Sequence, residues 1–340
     1  MRLTTMYVWI TRALVMDSII VAGGLRSSLE VEILDILKFT YAEATKASYK
    51  THLKSYASFC SVLGVPLVPA KPHVVSLYAV LLARTLQYGS IPQYLNIISL
   101  LHKSHDLESP LNSFLVKSVL KGISNKIGKE PSIKLPVTPV ILYRILDNMS
   151  LNVILDACVW MTCLIMFYGL LRKSNVVGTH KMLRSDCSFV EDAVQLTIRS
   201  SKTRKKSEIP RKLTLPRLRD HPLCPVAAII NFLSITAQFP QSVPLCSILS
   251  SSGTLSVLPY KNIVDAVRKA VPVDQAQSYA THSFRRGGAS FMYSIGMSVE
   301  SIRLMGDWKS SCYQRYITVD SAELSEKSVR FMQHNLPPPR

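Results

Sequence analysis

The stretch THSFRRGGAS, residues 281–290, sets a histidine and an arginine three positions apart and follows them with two adjacent glycines. On a helix, positions i and i+3 share a face, so the His282 imidazole and the Arg285 guanidinium can converge on one anion. H-x-x-R is common by chance, and the bland reading is a helix start capped by Ser283 with a surface arginine. Gly287 and Gly288 shift the balance, because two glycines inside a helix start let the helix backbone approach something closely. What else the chain could bring to this pair decides the reading.

Three other stretches are candidates. GLLRKSN, residues 169–175, ends a long apolar run on Arg172, either a snorkelling end or a guanidinium aimed at a phosphate. Residues 192–216, DAVQLTIRSSKTRKKSEIPRKLTLP, alternate in two runs around a basic turn and predict a β-hairpin. From 199 to 219 the chain holds nine basic side chains and one acid, Glu208. A hairpin so basic would repel itself without an anion nearby, which implies contact with phosphates; KTRKK also fits a nuclear-localisation patch. Finally GDWKSSCYQRYI, residues 306–317, sets Tyr313 and Tyr316 behind Trp308. On a helix the two rings would lie on nearly the same face.

The rest of the chain sets the frame. With 40 Lys+Arg against 22 Asp+Glu, the net charge of +18 points to a polyanionic partner, nucleic acid or an anionic membrane. Seven cysteines without a CxxC argue against a zinc site or disulfide framework and for a reducing, intracellular compartment. Residues 6–24 resemble a signal peptide only weakly, since Arg12 and Asp17 interrupt them. Val153 to Leu171 is nearly long enough to span a bilayer, but Asp156 and the following Arg172–Lys173 favour a buried core helix.

Residues 1–30 show no clear period and read as a loose extension. Tyr49, Leu53, Tyr56, Cys60 and Leu63 then recur at helical spacing, with Gly64 as a stop. HVVSLYAVLLART, IPQYLNIISLLHKSH and SFLVKSVLKGISNKI predict three more helices, so residues 31–127 form a small helical bundle. GKEPSIKLPVTP, residues 128–139, is a proline-rich linker whose Thr138 and Pro139 look like an N-cap and first helical position. Residues 140–334 form a larger domain, helical again from Pro225 onward. The fold class is mainly α with a small β-hairpin or sheet.

Together these residues resemble the tyrosine recombinase (phage integrase) family. GLLRKSN is similar to its first arginine box. HSFRRGGA with GDWKSSCYQRYI resembles its second box in the form found in eukaryotic Crypton-like mobile-element recombinases. HPLCPVAAI from His221, and SYKTHLKSYASFC with VLKGI in the helical half, are also similar; the likeness spans about residues 42 to 330. It implies a helical core-binding, SAM-like domain over 31–127 and a catalytic domain over 140–334. It implies that Arg172 and Arg285 clamp a scissile phosphate and that His282 exchanges the proton of the nucleophile. Lys202 would protonate the leaving 5′ oxygen, with Lys205 and Lys206 as alternatives. Trp308 would pack against the phosphate site. The family spacing of eight or nine residues after that position makes Tyr316 the nucleophile and Tyr313 a packing aromatic. Arg199, Arg204, Lys205, Lys206 and Arg286 would contact DNA. One position departs: the family often carries an acid three residues after the first arginine, where this chain has Asn175, implying weaker support for Arg172.

The implied activity is site-specific cutting and rejoining of double-stranded DNA through a 3′-phosphotyrosyl link, without metal, cofactor or ATP. The implied assembly is a homo-oligomer, dimer or tetramer, on DNA, with no membrane or small-molecule substrate, in the nucleus of a eukaryotic host. A domesticated DNA-binding protein without the reaction is the alternative. A type IB topoisomerase shares the chemistry, but typically has Lys or Arg at the position of His282.

Overall fold

The structure, a computed structural model, describes residues 24–128, 134–178, 181–201, 209–250 and 252–318. The chain divides into two compact units, Met1–Pro131 and Ser132–Arg340.

In the first unit, α1 (Gly24–Leu37) begins inside the stretch expected to be loose, and leaves Val31, Ile33 and Ile36 exposed; residues 1–23 lie outside the described residues. α2 (Glu43–Leu63) buries Leu53, Tyr56 and Cys60, the predicted stripe. It stops at Gly64, where φ is 62° and the next amide, Val65 N–H, reaches back to the Cys60 carbonyl at 3.0 Å. α3 (Pro72–Ala83), α4 (Ile91–Lys103) and α5 (Phe114–Ile127) complete the bundle, with Pro72 and Pro92 in their first turns. Ser113 caps α5 by accepting from Val116 N–H at 3.3 Å. Buried His102 pins α4 to the segment ahead of α3: Nε2 accepts from Ala70 N–H at 3.0 Å, and Nδ1 donates to the Ile98 carbonyl at 2.8 Å.

The second unit is built around α7 (Ile154–Tyr168), buried without interruption from Ala157 to Phe167. The apolar run is therefore a core helix, and no helix among the described residues is long and apolar enough to cross a membrane. Asp156 in its first turn accepts from Ser150 N–H at 2.9 Å, which explains an acid in this run. α6 (Pro139–Leu146) starts as predicted, Thr138 Oγ1 accepting from Ile141 N–H at 3.3 Å. The end of the expected linker is ordered into this unit: Leu135 N–H donates to the Ser278 carbonyl and Val137 N–H to the Ser283 carbonyl.

After the short helix α8 (Lys173–Val176) comes an antiparallel sheet in the order β1 (Cys187–Val190), β2 (Ala193–Ile198), β3 (Arg211–Pro216). Its β2–β3 hairpin is the predicted one, with Ala193 opposite Pro216 and Ile198 opposite Arg211. Alternate residues Val194, Leu196 and Ile198 face the core. β1 was not predicted, and neither was the pair β4 (Ser247–Leu249) and β5 (Leu255–Val257) after α9 (Pro225–Ile235). The expectation of helix alone after Pro225 is corrected: strands of three or four residues are too short to show a period. α10 (Tyr260–Lys269), α11 (Thr281–Ser294), α12 (Val299–Met305) and a 3-10 turn over Ser311–Arg315 follow. α9 and α11 both pack on α7.

Candidate active site

α11 carries the H-x-x-R pair. Ser283 is not its cap: the N-cap is Ala280, and Ser283 in the first turn accepts from Ala280 N–H at 3.0 Å. The backbones that approach the two glycines are the chain's own. A Cβ on Gly287 would lie 1.8 Å from the Val137 carbonyl oxygen, and one on Gly288 would lie 2.0 Å from that of Phe167. α11 thus rests directly on the extended segment before α6 and on the end of α7, which sets Arg285 beside Leu170.

Arg285 is 2% exposed. It donates from Nη1 to the Leu170 carbonyl and from Nη2 to the Gly306 carbonyl, the latter at 2.6 Å. Its guanidinium carbon lies 4.0 Å from the Trp308 ring centre and 5.3 Å from that of Tyr316. Burial above all, then the Arg172 cation, pulls its pKa down to about 9; Arg211 adds to this, while Tyr316 and Asp307 oppose it. A buried cation with other cations as neighbours favours the arrival of an anion. Two donors await one: Arg285 Nε and Trp308 Nε1 are buried without a hydrogen-bond partner among the described residues. Trp308 is held over Gly306, where a Cβ would come within 1.9 Å of the indole.

Arg172 is the extended, half-buried residue ahead of α8. Buried Asn175 donates from Nδ2 to the Ser200 carbonyl at 3.2 Å, at the end of the run leaving β2. Its side chain therefore works as a donor, a role an ionised acid could not fill.

His282 keeps part of its ring exposed, 6.2 Å between centroids from Tyr316. Its pKa is lowered below 6.5 by desolvation first, then by Arg285, Arg172, Lys173 and Arg286. The Tyr316 ring also lies 5.1 Å from Trp308. Tyr313 and Tyr316 do not share an α-helix: Tyr313 lies in the 3-10 turn, and Tyr316 closes it by donating its N–H to the Tyr313 carbonyl at 2.8 Å. Both pack on a small apolar cluster of Leu170, Ala289, Met292, Ile302 and Trp308. Arg285, Trp308, His282 and Tyr316 thus come together, and Arg172 acts electrostatically on both Arg285 and His282.

The basic hairpin is less self-repelling than its composition suggests. Arg199 bonds Asp186 (Nε to Oδ1, 2.7 Å), Arg219 bonds Asp192 at 2.9 Å, and Arg217 lies 4.0 Å from Asp192. Arg211 donates to the Met305 carbonyl. The partner acids precede the run: β1–β2 pairing brings Asp186 to Arg199, and β2–β3 pairing brings Asp192 to Arg217 and Arg219. Lys202, Arg204, Lys205 and Lys206 lie outside the described residues. Arg286 donates to Thr318 Oγ1 at 3.1 Å.

Sequence reading missed Arg211, Asp307 and Ser290. Ser201 Oγ donates to Asp307 Oδ2 at 3.4 Å, so the hairpin base meets the turn before Trp308. Arg211 already stood in the basic run, but nothing in the sequence singled out Ser290. The cysteines carry no disulfide, and no group of three or more potential metal ligands occurs among the described residues.

No protein-family model and no curated protein matches the chain in sequence. Solved structures do match its fold. A Tn1549 transposon integrase in complex with transposon right end DNA aligns at TM-score 0.59 and 13% identity over 89% of this chain and 98% of that one. The XerH site-specific recombinase bound to palindromic difH, a post-cleavage complex, aligns at 0.58 and 12% over 96% and 95%. A lambda integrase dimer bound to a COC′ core site aligns at 0.55 and 13% over 86% and 77%. The fold of this chain, mostly helical with small antiparallel sheets, is that of the tyrosine recombinases and integrases.

Proposed function

We propose that the chain is a site-specific DNA recombinase or integrase that cuts and rejoins duplex DNA through Tyr316. The observation that carries this reading is the pair of buried, unpartnered donors, Arg285 Nε and Trp308 Nε1, beside the Tyr316 ring. A phosphodiester supplies the acceptors and the negative charge that such a pocket lacks. Residues 31–127 are the core-binding domain and 140–334 the catalytic domain of this reading.

In the reaction, Tyr316 Oη attacks phosphorus and its proton passes to His282, which is favoured in the neutral form. Arg172, Arg285 and Trp308 stabilise charge growing on the non-bridging oxygens. The P–O5′ bond breaks, and the 5′ oxygen takes a proton from Lys202. The 3′-phosphotyrosyl link keeps the bond energy, so a free 5′ hydroxyl can reverse each step and rejoin a strand. The positive charge comes from side chains, so cleavage should persist in EDTA. A Crypton-like mobile element, a homo-oligomer on DNA and a nuclear site of action belong to the same proposal, supported by the sequence resemblance.

The test is a nicked suicide substrate on which a cleaved strand cannot be rejoined. A covalent protein–DNA adduct is expected, mapping to Tyr316 by mass spectrometry, abolished in Tyr316→Phe and retained in Tyr313→Phe. A nucleotide on Tyr313 would overturn the assignment of the nucleophile. DNA binding without any adduct would make the domesticated binding protein the better account.

A further inference from the structure

We propose that Ser290, assisted by Arg286, is a positioning residue that holds the Tyr316 segment against its own chain's Arg285 and Trp308. The inference rests on the recombinase reading above. Ser290 lies on α11, five residues after Arg285 and eight after His282. Its hydroxyl donates to the Tyr316 carbonyl at 3.2 Å and accepts from Thr318 N–H at 2.8 Å, so one side chain grips the backbone on both sides of Ile317. Arg286, also on α11, donates from Nη1 to Thr318 Oγ1 at 3.1 Å.

The consequence is geometric. The helix that carries His282 and Arg285 also fixes the segment that carries Tyr316, so base, cation and phenol are placed by one rigid element. The local structure alone would not do this, because a five-residue 3-10 turn has poor hydrogen-bond geometry. Holding a nucleophile near its attack position lowers the entropic part of a barrier without touching the substrate. Ser290 therefore acts on rate through Tyr316 and leaves DNA affinity alone.

The test compares the parent chain with Ser290→Ala and Ser290→Thr on a suicide substrate, measuring adduct formation at saturating DNA together with Kd. Loss of two hydrogen bonds through one hydroxyl should slow Ser290→Ala by about tenfold, with Kd within about twofold. Ser290→Thr, which keeps the hydroxyl, should recover most of the rate. Hydrogen exchange at the Thr318 amide, an independent readout, should speed up in Ser290→Ala while the core of α7 stays protected. If the parent forms adduct and Ser290→Ala matches its rate or its Thr318 protection, the latch is overturned and the recombinase reading stands. If the parent forms no adduct, that reading falls and takes this role with it.

Discussion

The guanidinium carbon of Arg285 lies 4.0 Å from the centre of the Trp308 ring. Stacking on an aromatic face stabilises a desolvated cation by about 2 kcal/mol without neutralising it, as a carboxylate in contact would. The charge stays available for a phosphate, and the indole contributes a buried, unpartnered donor of its own.

Trp308→Phe should separate the two contributions. It keeps a ring under Arg285 and removes Nε1. A hydrogen bond to a charged group is worth roughly 1.5–3 kcal/mol, so adduct formation should slow by about 10- to 100-fold with little change in Kd. Trp308→His, which retains a donor, should recover part of that loss. Cleavage by Trp308→Phe at the parental rate would exclude Nε1 as a phosphate donor. Trp308→Ala should cost roughly 3–5 kcal/mol in urea unfolding.

His282 sets the acid side of the pH profile. Desolvation and four cations lower its pKa, so the ring is neutral at pH 7 and ready to take the phenol proton. kcat/KM should be flat from about pH 7 to 8 and fall only below the ordinary histidine value of about 6.5. Stability follows the same sign. Between the lowered pKa and about 6.5 the unfolded chain binds more protons, so stability is lost as pH falls through that window and is fully present above it. His282→Asn should flatten the slope between unfolding curves at pH 5.5 and 7.5. A kcat/KM that rises on acidification through 6.5 would contradict the role of base.

The two glycines of α11 make a steric prediction. Val137, whose carbonyl blocks a Cβ at Gly287, is tied through its own N–H to the Ser283 carbonyl, so it cannot retreat freely. Gly287→Ala should therefore destabilise by at least about 3 kcal/mol, outweighing the roughly 1 kcal/mol that alanine gains in a helix. Gly122, inside α5, meets nothing within 4 Å of a built Cβ. Gly122→Ala should stabilise by up to about 1 kcal/mol. Equal effects at the two positions in urea unfolding would contradict the packing argument.

These cases mark what sequence could carry. The stripe on α2, the Thr138–Pro139 start and the β2–β3 hairpin were legible because each is a local pattern with its own period or cap. Gly287 and Gly288 announced a close approach but not its partner, which lies about 150 residues away for Val137. The ion pair of Arg199 needed β1–β2 pairing to bring back Asp186, and that of Arg219 needed the β2–β3 register to set Asp192 beside it. Ser290 left no trace, since a serine late in a helix is ordinary until its two partners are seen.

Asn175 gives the last prediction, because the sequence resemblance and the structure point in opposite directions. By resemblance an acid belongs there to orient Arg172, so Asn175→Asp would be an improvement. In the structure the side chain is buried, and its amide donates to the Ser200 carbonyl at 3.2 Å. Aspartate would set a carboxylate oxygen against that carbonyl, at a cost of roughly 1–3 kcal/mol, whereas Asn175→Ala would lose only the bond. Stability should thus fall in the order parent, Asn175→Ala, Asn175→Asp at pH 7, and adduct formation should slow in Asn175→Asp. The slope with pH discriminates further. A buried aspartate facing a carbonyl is protonated more readily than the unfolded side chain, whose pKa is about 3.9. Its penalty is then smallest below about pH 4, where the acid can donate to Ser200, and grows as pH rises through the raised pKa. An aspartate paired with Arg172 would have a lowered pKa and would gain stability as pH rises through the acid range. Urea unfolding of Asn175→Asp at pH 4 and pH 7, each relative to the parent, reads this sign directly: a relative gain at pH 7 would mean that position 175 serves Arg172 and not the hairpin base.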